Sequence, residues 1–357
     1  MFRWLRRFAW LLALMMVSVA CGSDDSAPTT TAAPAVAETD PGTTATSQPG
    51  RLAVIATTTI LGDVVANVVG GDAQIDVLLP PGADPHDYQI SSSQAAMLYD
   101  VDLVIANGLG LEEALIDVLR AAEADGVSIL EVASRLDPIP FSFEDAHHGE
   151  EGEDHGDEEE EEGEDHGDEE EEEGEDHGED TSGLDPHFWT DPLRVAQAAM
   201  LIAEALAAIE PSIDWAARAE AYAATLTELD EEIQDLLAPI PDENRLLITN
   251  HDSLGYFADR YGFEIIGAVI PGGATLADPS SAQLAELVDE IVEEGVKVIF
   301  AETIEPTALA EAVAAEAGTD VAVVELHTGS LGEPGTATDN LVGMLRDNAK
   351  RIADALS

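Results

Sequence analysis

The sequence has only one cysteine, Cys21, and few basic residues: 14 Lys and Arg stand against 74 Asp and Glu, which gives a formal net charge of −60 at pH 7. A single cysteine excludes an intramolecular disulfide. The negative charge excludes nucleic acid and anionic membrane surfaces as electrostatically favoured partners, because phosphate would be repelled. Cations are the expected partners. The chain does have 45% hydrophobic residues over 357 positions, enough for one large or two ordinary domains.

The N-terminal region has the pattern of an export signal. Residues 1–20 combine early arginines with the apolar run FAWLLALMMVSVA, too short for a comfortable transmembrane span, and predict a signal peptide. The following VSVACGS resembles a bacterial lipobox, so we expect lipidation at Cys21; an inert, buried cysteine is the alternative. Residues 21–50 have too little apolar surface to form a core and predict a lipid-anchored flexible linker. These features predict an extracytoplasmic protein attached to the cell membrane as a lipoprotein.

The remaining chain alternates β-branched runs with Ala- and Leu-rich stretches of helical spacing, which predicts α/β units with mainly parallel sheets. This pattern begins at LAVIATTTI, residues 52–60. A long helix is expected over 212–237. We therefore predict an N-terminal α/β lobe at 51–210, a linking helix at 211–239 and a C-terminal α/β lobe at 240–357.

The acidic insert, residues 144–180, lies within the predicted N-terminal lobe and contains 24 acidic residues, no basic residue and an eleven-residue repeat. Mutual repulsion predicts an extended, disordered segment in the absence of cations. One interpretation is a solvated loop lengthened by repeat expansion. The other is an accessory cation collector with loose, weak sites, because imidazoles eleven residues apart meet only if the chain folds back. Under that second interpretation the metal-collecting residues are His147, His148, His155, His166 and His177.

The four other histidines follow candidate strands or lie in proline-bounded loops. They are His86 in PPGADPHDYQI, His187 in LDPHFWTDP, His251 in ITNHDSLGYF and His327 in VELHTGSLGEPG. Open α/β sheets bind ligands outside the carboxyl ends of their strands. An isolated histidine is more often a hydrogen-bonded structural residue, but two of these share Asp-Pro-His, where proline stiffens the backbone as a preorganised ligand requires. Three imidazoles from separate loops would suit zinc, with a fourth position for an oxygen.

Five motifs, in matching order, resemble those of the bacterial zinc and manganese solute-binding proteins of ABC transporters, the ZnuA-like group. They are PPGADPHDYQISSSQ, DPHFWTDP, TNHDSLGYFADRYGF, VIFAETIEP and ELHTGSLGEPGTATDNLVGMLRDNAKRI. The resemblance runs from about residue 52 to the end of the sequence. It implies two pseudo-symmetric α/β lobes joined by a long rigid helix, with the metal site in the interlobe cleft. It also implies capture of Zn²⁺ and delivery to an ABC transporter permease in the membrane, with no reaction catalysed. We expect a monomer.

The resemblance also assigns metal ligands by position. His86 and His187 match the two histidines that the N-terminal lobe supplies. His251 matches the third ligand position, which is His in zinc importers and often Glu in manganese-binding relatives. Imidazole at this position favours Zn²⁺, and a manganese-specific protein of the same class is the alternative.

The fourth ligand position departs from the family pattern. Gly329 stands where many relatives have an aspartate, so a fourth ligand is expected from Glu302, from His327, from solvent or from the acidic insert. The alternative for Glu302 is an acceptor that orients a ligand imidazole without binding the metal. The alternative for His327 is a surface residue or one outside the ligand set. A zinc-dependent hydrolase is the rival from another class, since three histidines and a metal-bound water also form a catalytic centre. Against a hydrolase, the sequence has no helical His-Glu-x-x-His pattern and no evident general base beyond Glu302.

Overall fold

The computed structural model describes residues 51–142, 183–273, 275, 278–318 and 320–357. The first set of elements is β1 (Leu52–Ala56), α1 (Thr59–Val69), β2 (Ala73–Val77), α2 (Ser92–Met97), β3 (Leu103–Ala106), α3 (Ile116–Ala124), β4 (Ile129–Glu131) and α4 (Pro192–Ile209). The helix α5 (Trp215–Leu237) follows. The second set is β5 (Leu246–Thr249), α6 (Gly255–Tyr261), β6 (Glu264–Ala268), α7 (Ser281–Glu294), β7 (Val298–Glu302), α8 (Ala308–Ala317), β8 (Ala322–Leu326) and α9 (Leu341–Leu356).

The two sheets have the same topology. The first has the strand order β2-β1-β3-β4 and the second β6-β5-β7-β8, and every strand pairing is parallel. All residues of β3 and β7 are buried, as expected for inner strands of a parallel sheet with both faces covered. This arrangement confirms the predicted α/β fold of two pseudo-symmetric lobes. It also brings the loops after the strands of each sheet to one edge.

The segment 52–60, where the alternating pattern begins, contains both a strand and the start of a helix. β1 stops at Ala56, and α1 begins at Thr59. The side chain of Thr58 accepts a hydrogen bond from the backbone N–H of Leu61, at 3.1 Å, which satisfies one of the free donors of the first helical turn. The β-branched threonine run therefore caps a helix and does not extend the strand.

The helix α5 lies within the predicted linking segment 211–239. It begins at Trp215, where the side chain of Asp214 accepts from the N–H of Ala217 at 3.1 Å. It packs against α1, α4 and α9, and its buried face belongs to a hydrophobic cluster that contains residues of both sheets. Asp230 on α5 accepts two hydrogen bonds from Arg260 of α6, each at 2.5 Å. The helix is thus held on one side by the first set of elements and on the other by the second.

The helix α4 is the one described helix long and apolar enough, by length and composition, to cross a membrane. It packs against α1 and α5 through one face, on which Val195, Ile202 and Leu206 are fully buried. A core helix passes the same composition test, and these contacts give α4 a place in the core of the first lobe.

The chain leaves the first lobe for the acidic insert and returns to it at adjacent points. Pro140 and Leu184 form an antiparallel bridge. Next to this bridge, the backbone N–H of Asp185 donates to the carbonyl of Ile139 at 2.8 Å. The segments that flank the insert are therefore joined directly, at Ile139–Pro140 and Leu184–Asp185, immediately before Pro186 and His187.

Candidate metal centre

Three histidines from separate loops meet in the interior. His86 follows β2, His187 precedes α4 and His251 follows β5; their exposed fractions are 2%, 1% and 1%. The Nε2 atom of His187 lies 3.4 Å from Nε2 of His86 and 3.2 Å from Nε2 of His251. One ring nitrogen from each residue lies within 4.8 Å of the others, and among the described residues only these three form such a group. Three neighbouring nitrogen donors are a plausible ligand set for one divalent metal ion.

The two Asp-Pro-His sequences fold in the same way. Asp84 Oδ1 accepts from the backbone N–H of His86 at 3.0 Å, and Asp185 Oδ1 accepts from that of His187 at 2.8 Å. Each aspartate thus closes a local turn over the intervening proline, whose ring restricts φ. Both imidazoles therefore follow the same hydrogen-bonded Asp-Pro-His turn.

His187 is also oriented through its ring. Its Nδ1 lies 2.8 Å from Asp185 Oδ1, which leaves Nε2 to face the other two histidines. Tyr256 donates to the carbonyl of Asp185 at 2.8 Å, and a Cβ atom on Gly255 would lie 2.5 Å from Asp185 Oδ2. Burial raises the pKa of Asp185 to about 7, against the hydrogen bond from the backbone of His187. This buried carboxylate is fixed by its neighbours and in turn fixes the ring of His187.

Glu302, the last residue of β7, lies behind His251. Its Oε1 is 2.5 Å from His251 Nδ1, and both side chains are 1% exposed. The same carboxylate accepts from Ser253 Oγ at 3.2 Å and from Thr328 Oγ1. Both oxygens of Glu302 are therefore engaged by neighbouring protein groups.

Burial and mutual proximity set the charge of the three imidazoles. Burial lowers the pKa of His86 and the pKa of His187 well below the usual value for histidine, and positive charge on the neighbouring imidazoles lowers both further. Burial also lowers the pKa of His251, but the charge and hydrogen bonding of Glu302 outweigh it and raise this pKa overall. Burial raises the pKa of Glu302, and the contact with His251 lowers it overall. His86 and His187 are therefore neutral near pH 7, the form that binds metal.

His327 and Gly329 lie in the loop after β8. His327 is half-buried; its Nδ1 lies 3.2 Å from Thr303 Oγ1 and its Nε2 3.5 Å from Thr338 Oγ1. It is not part of the three-histidine group. A Cβ atom at Gly329 would lie 2.5 Å from Ile304 Cδ1.

Asn107 supports the site and is absent from the sequence prediction. It directly follows β3, is fully buried, and its Nδ2 donates to the carbonyl of Pro186 at 3.0 Å. Its own backbone N–H donates to the buried Glu112 at 2.7 Å. The sequence feature that could have identified Asn107 is a polar residue directly after the predicted strand VDLVIA, at the sheet edge where ligands bind.

Several residues predicted from the sequence lie outside the described part of the chain. They are the lipidation site Cys21 and the five histidines of the acidic insert, His147, His148, His155, His166 and His177.

Comparisons with known proteins agree with this fold. A sequence model described as "Zinc-uptake complex component A periplasmic" matches residues 54–355. The manganese-binding lipoprotein MntA of Halalkalibacterium halodurans is 25% identical over 350 residues, covering 97% of each chain. The high-affinity zinc uptake system protein ZnuA of Paracoccus denitrificans is 39% identical over 248 residues, covering 68% of this chain and 73% of that protein.

A solved structure, the periplasmic zinc-binding protein TroA from Treponema pallidum, has a TM-score of 0.71 and 26% identity, covering 86% of this chain and all of that one. These findings confirm the resemblance stated from the motifs. The chain belongs to the ZnuA family, whose sequence model matches all but a few residues of both lobes.

Proposed function

We propose that this protein is the extracytoplasmic zinc-binding component of an ABC importer, which captures Zn²⁺ with His86, His187 and His251 and delivers it to a membrane permease. The observation that carries the proposal is the convergence of three buried imidazoles, with Nε2 separations of 3.2 and 3.4 Å. Family membership supports the transport role, since the family is described as part of a zinc-uptake complex.

The donor set favours zinc. Imidazole nitrogen suits Zn²⁺, whereas Mn²⁺ prefers carboxylate, carbonyl and water oxygen. Manganese is the second candidate, because two relatives, from Halalkalibacterium halodurans and Bacillus subtilis, are named manganese-binding lipoproteins. Measured Zn²⁺ and Mn²⁺ affinities of one preparation separate the two.

Glu302 acts in this proposal as the acceptor that orients His251, and not as a metal ligand. Three groups, on His251, Ser253 and Thr328, already engage its oxygens. His327 lies outside the ligand set, since threonine hydroxyls contact both of its ring nitrogens. Solvent completes the coordination of the ion.

The protein binds and delivers its metal without catalysing a reaction. The family is one of transport components, and Glu302, the one general base that the sequence suggested for a hydrolase, is engaged behind His251. The zinc-loaded protein is expected to be inert toward ester and peptide probes. Turnover that is lost with His187→Ala would favour the hydrolase.

The cellular setting is part of the same proposal. Relatives named as lipoproteins, including AdcA of Streptococcus pneumoniae, support a lipid anchor, which we assign to Cys21. The acidic insert at 144–180 gathers cations for the cleft site, and the protein works as a monomer with the permease as its partner. Labelling of cells with a fatty-acid probe, comparing the native sequence with Cys21→Ala, tests the anchor.

Titration of the full chain with Zn²⁺ in competition with a chelator of known affinity tests the central claim. We expect one tight site, abolished separately by His86→Ala, His187→Ala and His251→Ala. His327→Ala is the matched control and retains the site. Tight binding that survives any of the first three substitutions would remove that histidine from the site, and survival of all three would refute the proposed function.

A further inference from the structure

The segments that flank the acidic insert form a short antiparallel stem, residues 139–142 and 183–185. The two segments are joined by one bridge and by two backbone hydrogen bonds, at 2.8 and 3.1 Å. The second segment continues directly into Pro186 and His187. The stem therefore belongs to the same stretch of backbone as one of the three histidines of the metal centre.

The second lobe holds this stem through Tyr256 of α6. The Tyr256 hydroxyl accepts from the backbone N–H of Ile139 at 3.3 Å and donates to the carbonyl of Asp185 at 2.8 Å, so one side chain contacts both segments of the stem. Gly255 lies so close to Asp185 that a Cβ atom on this glycine would be 2.5 Å from Asp185 Oδ2. The backbone that leads to His187 is thus fastened to the second lobe.

The other end of the stem contacts the loop that carries His251. The backbone N–H of Ser142 donates to Asp252 Oδ2 at 2.6 Å, and Asp252 immediately follows His251. Asp252 is fully buried, and its other oxygen, Oδ1, has no hydrogen-bond partner among the described residues. A buried carboxylate that loses its donor carries the full cost of its desolvation. The position of this loop therefore depends on Ser142.

Phe141 covers the same loop from the stem. Its ring packs on the backbone of Gly273, where a Cβ atom would overlap the ring. Gly272, next to Gly273 in the loop after β6, accepts through its carbonyl from the backbone N–H of Asp252 at 3.1 Å. Asp252 is thus held on its side chain by the stem and on its backbone by a loop that the stem covers.

We propose that Ser142 is a positioning residue of the metal centre, which holds the His251 loop of the second lobe through Asp252 and thereby slows release of the bound ion. His187 continues from the stem, and His251 precedes Asp252. Separation of these two imidazoles therefore requires the stem and the His251 loop to part. This inference rests on the proposed function of the three histidines.

The test removes the backbone donor and leaves the rest of the stem in place. Ser142→Pro lacks the N–H, and Ser142→Ala, which retains it, is the matched control. Zinc-loaded full chains are mixed with an excess of a chromogenic chelator, well below the unfolding temperature of each variant, and zinc release is followed by stopped flow. Because a hydrogen bond to a charged group is lost, Ser142→Pro should release Zn²⁺ roughly tenfold or more faster than Ser142→Ala. Ser142→Ala should release it at close to the native rate.

Equal release rates for the proline and alanine variants would overturn the inference. If Ser142→Pro does not fold, amide hydrogen exchange of the native chain decides. We expect slow exchange at Ile139 and Ser142, whose N–H groups donate to the second lobe. Exchange at Ser142 as fast as in an unstructured peptide would refute the proposal. Failure of the proposed function is separate, because it appears as tight Zn²⁺ binding that does not need the three histidines.

Discussion

The contact between Glu302 and His251 predicts a defined loss of affinity when the carboxylate becomes an amide. In Glu302→Gln the side chain keeps its size and one oxygen acceptor for His251 Nδ1, which lies 2.5 Å from Glu302 Oε1. The Thr328 hydroxyl can turn from donor to acceptor. The substitution therefore removes negative charge behind the ring and changes little else in the packing.

The expected loss of zinc affinity follows from the strength of the hydrogen bond between Glu302 and His251. A bond to a charged group contributes about 1.5–3 kcal/mol and a neutral one about 1, so the amide costs on the order of 1–2 kcal/mol. At 1.4 kcal/mol per factor of ten, zinc affinity falls by roughly 5- to 30-fold. Glu302→Ala, which also loses the acceptor and leaves a space, should approach the about 100-fold cost of removing a group that orients a metal ligand.

Chelator competition at pH 7.5 on the full chains measures these differences. The exposed Glu325→Gln, on the neighbouring strand β8, is the matched control and should bind zinc like the native chain. A change of less than about twofold in Glu302→Gln would refute the orienting role. A loss as complete as that of His251→Ala would instead make Glu302 a metal ligand.

Three further outcomes are expected. Asp230→Asn should lower the free energy of unfolding by about 2 kcal/mol in denaturant titrations, less than for a fully buried pair because Arg260 is 24% exposed. Burial raises the pKa of Asp230, but hydrogen bonds from Arg260 and Tyr261 hold it below its usual value. The stability difference between the native chain and Asp230→Asn is therefore present above about pH 4 and vanishes as pH falls through the folded-state pKa. A stability difference that persists at pH 2 contradicts this. Asn107→Ala, which frees the Pro186 carbonyl, should weaken zinc binding by up to about tenfold, and an unchanged affinity would show that this carbonyl does not position His187. Deleting 144–180 should leave the single tight zinc site and remove weaker binding seen by calorimetry; loss of the tight site would place it in the insert.

Local patterns predicted the elements well where burial and periodicity agreed. The runs ending in Thr249 and Leu326 form strands whose following loops carry His251 and His327, as their β-branched composition indicated. The run at 52–60 does not by itself show where β1 ends, because threonine suits both a strand and a helix cap, and only the packing of α1 decides between them.

The cluster of three histidines was predictable as far as its members have local sequence signatures. Asp-Pro-His marks two stiff loops, but nothing local distinguishes His251, which joins the cluster, from His327, which contacts threonines. The pairing of β7 with β8 and the contact of Glu302 with Thr328 depend on the tertiary fold. The space that Ile304 occupies beside Gly329 has no signature in either segment alone.

The bridge between Pro140 and Leu184 fixes the positions of the residues that flank the acidic insert, whatever the length of the insert. Loop-closure free energy grows as (3/2)RT ln n, so one more eleven-residue repeat added to the roughly 40 residues between these positions costs only about 0.2 kcal/mol. Each repeat adds one histidine and eight carboxylates. Whole repeats can therefore be gained or lost in evolution, changing the number of histidines and carboxylates that the chain carries almost independently of the stability of the fold.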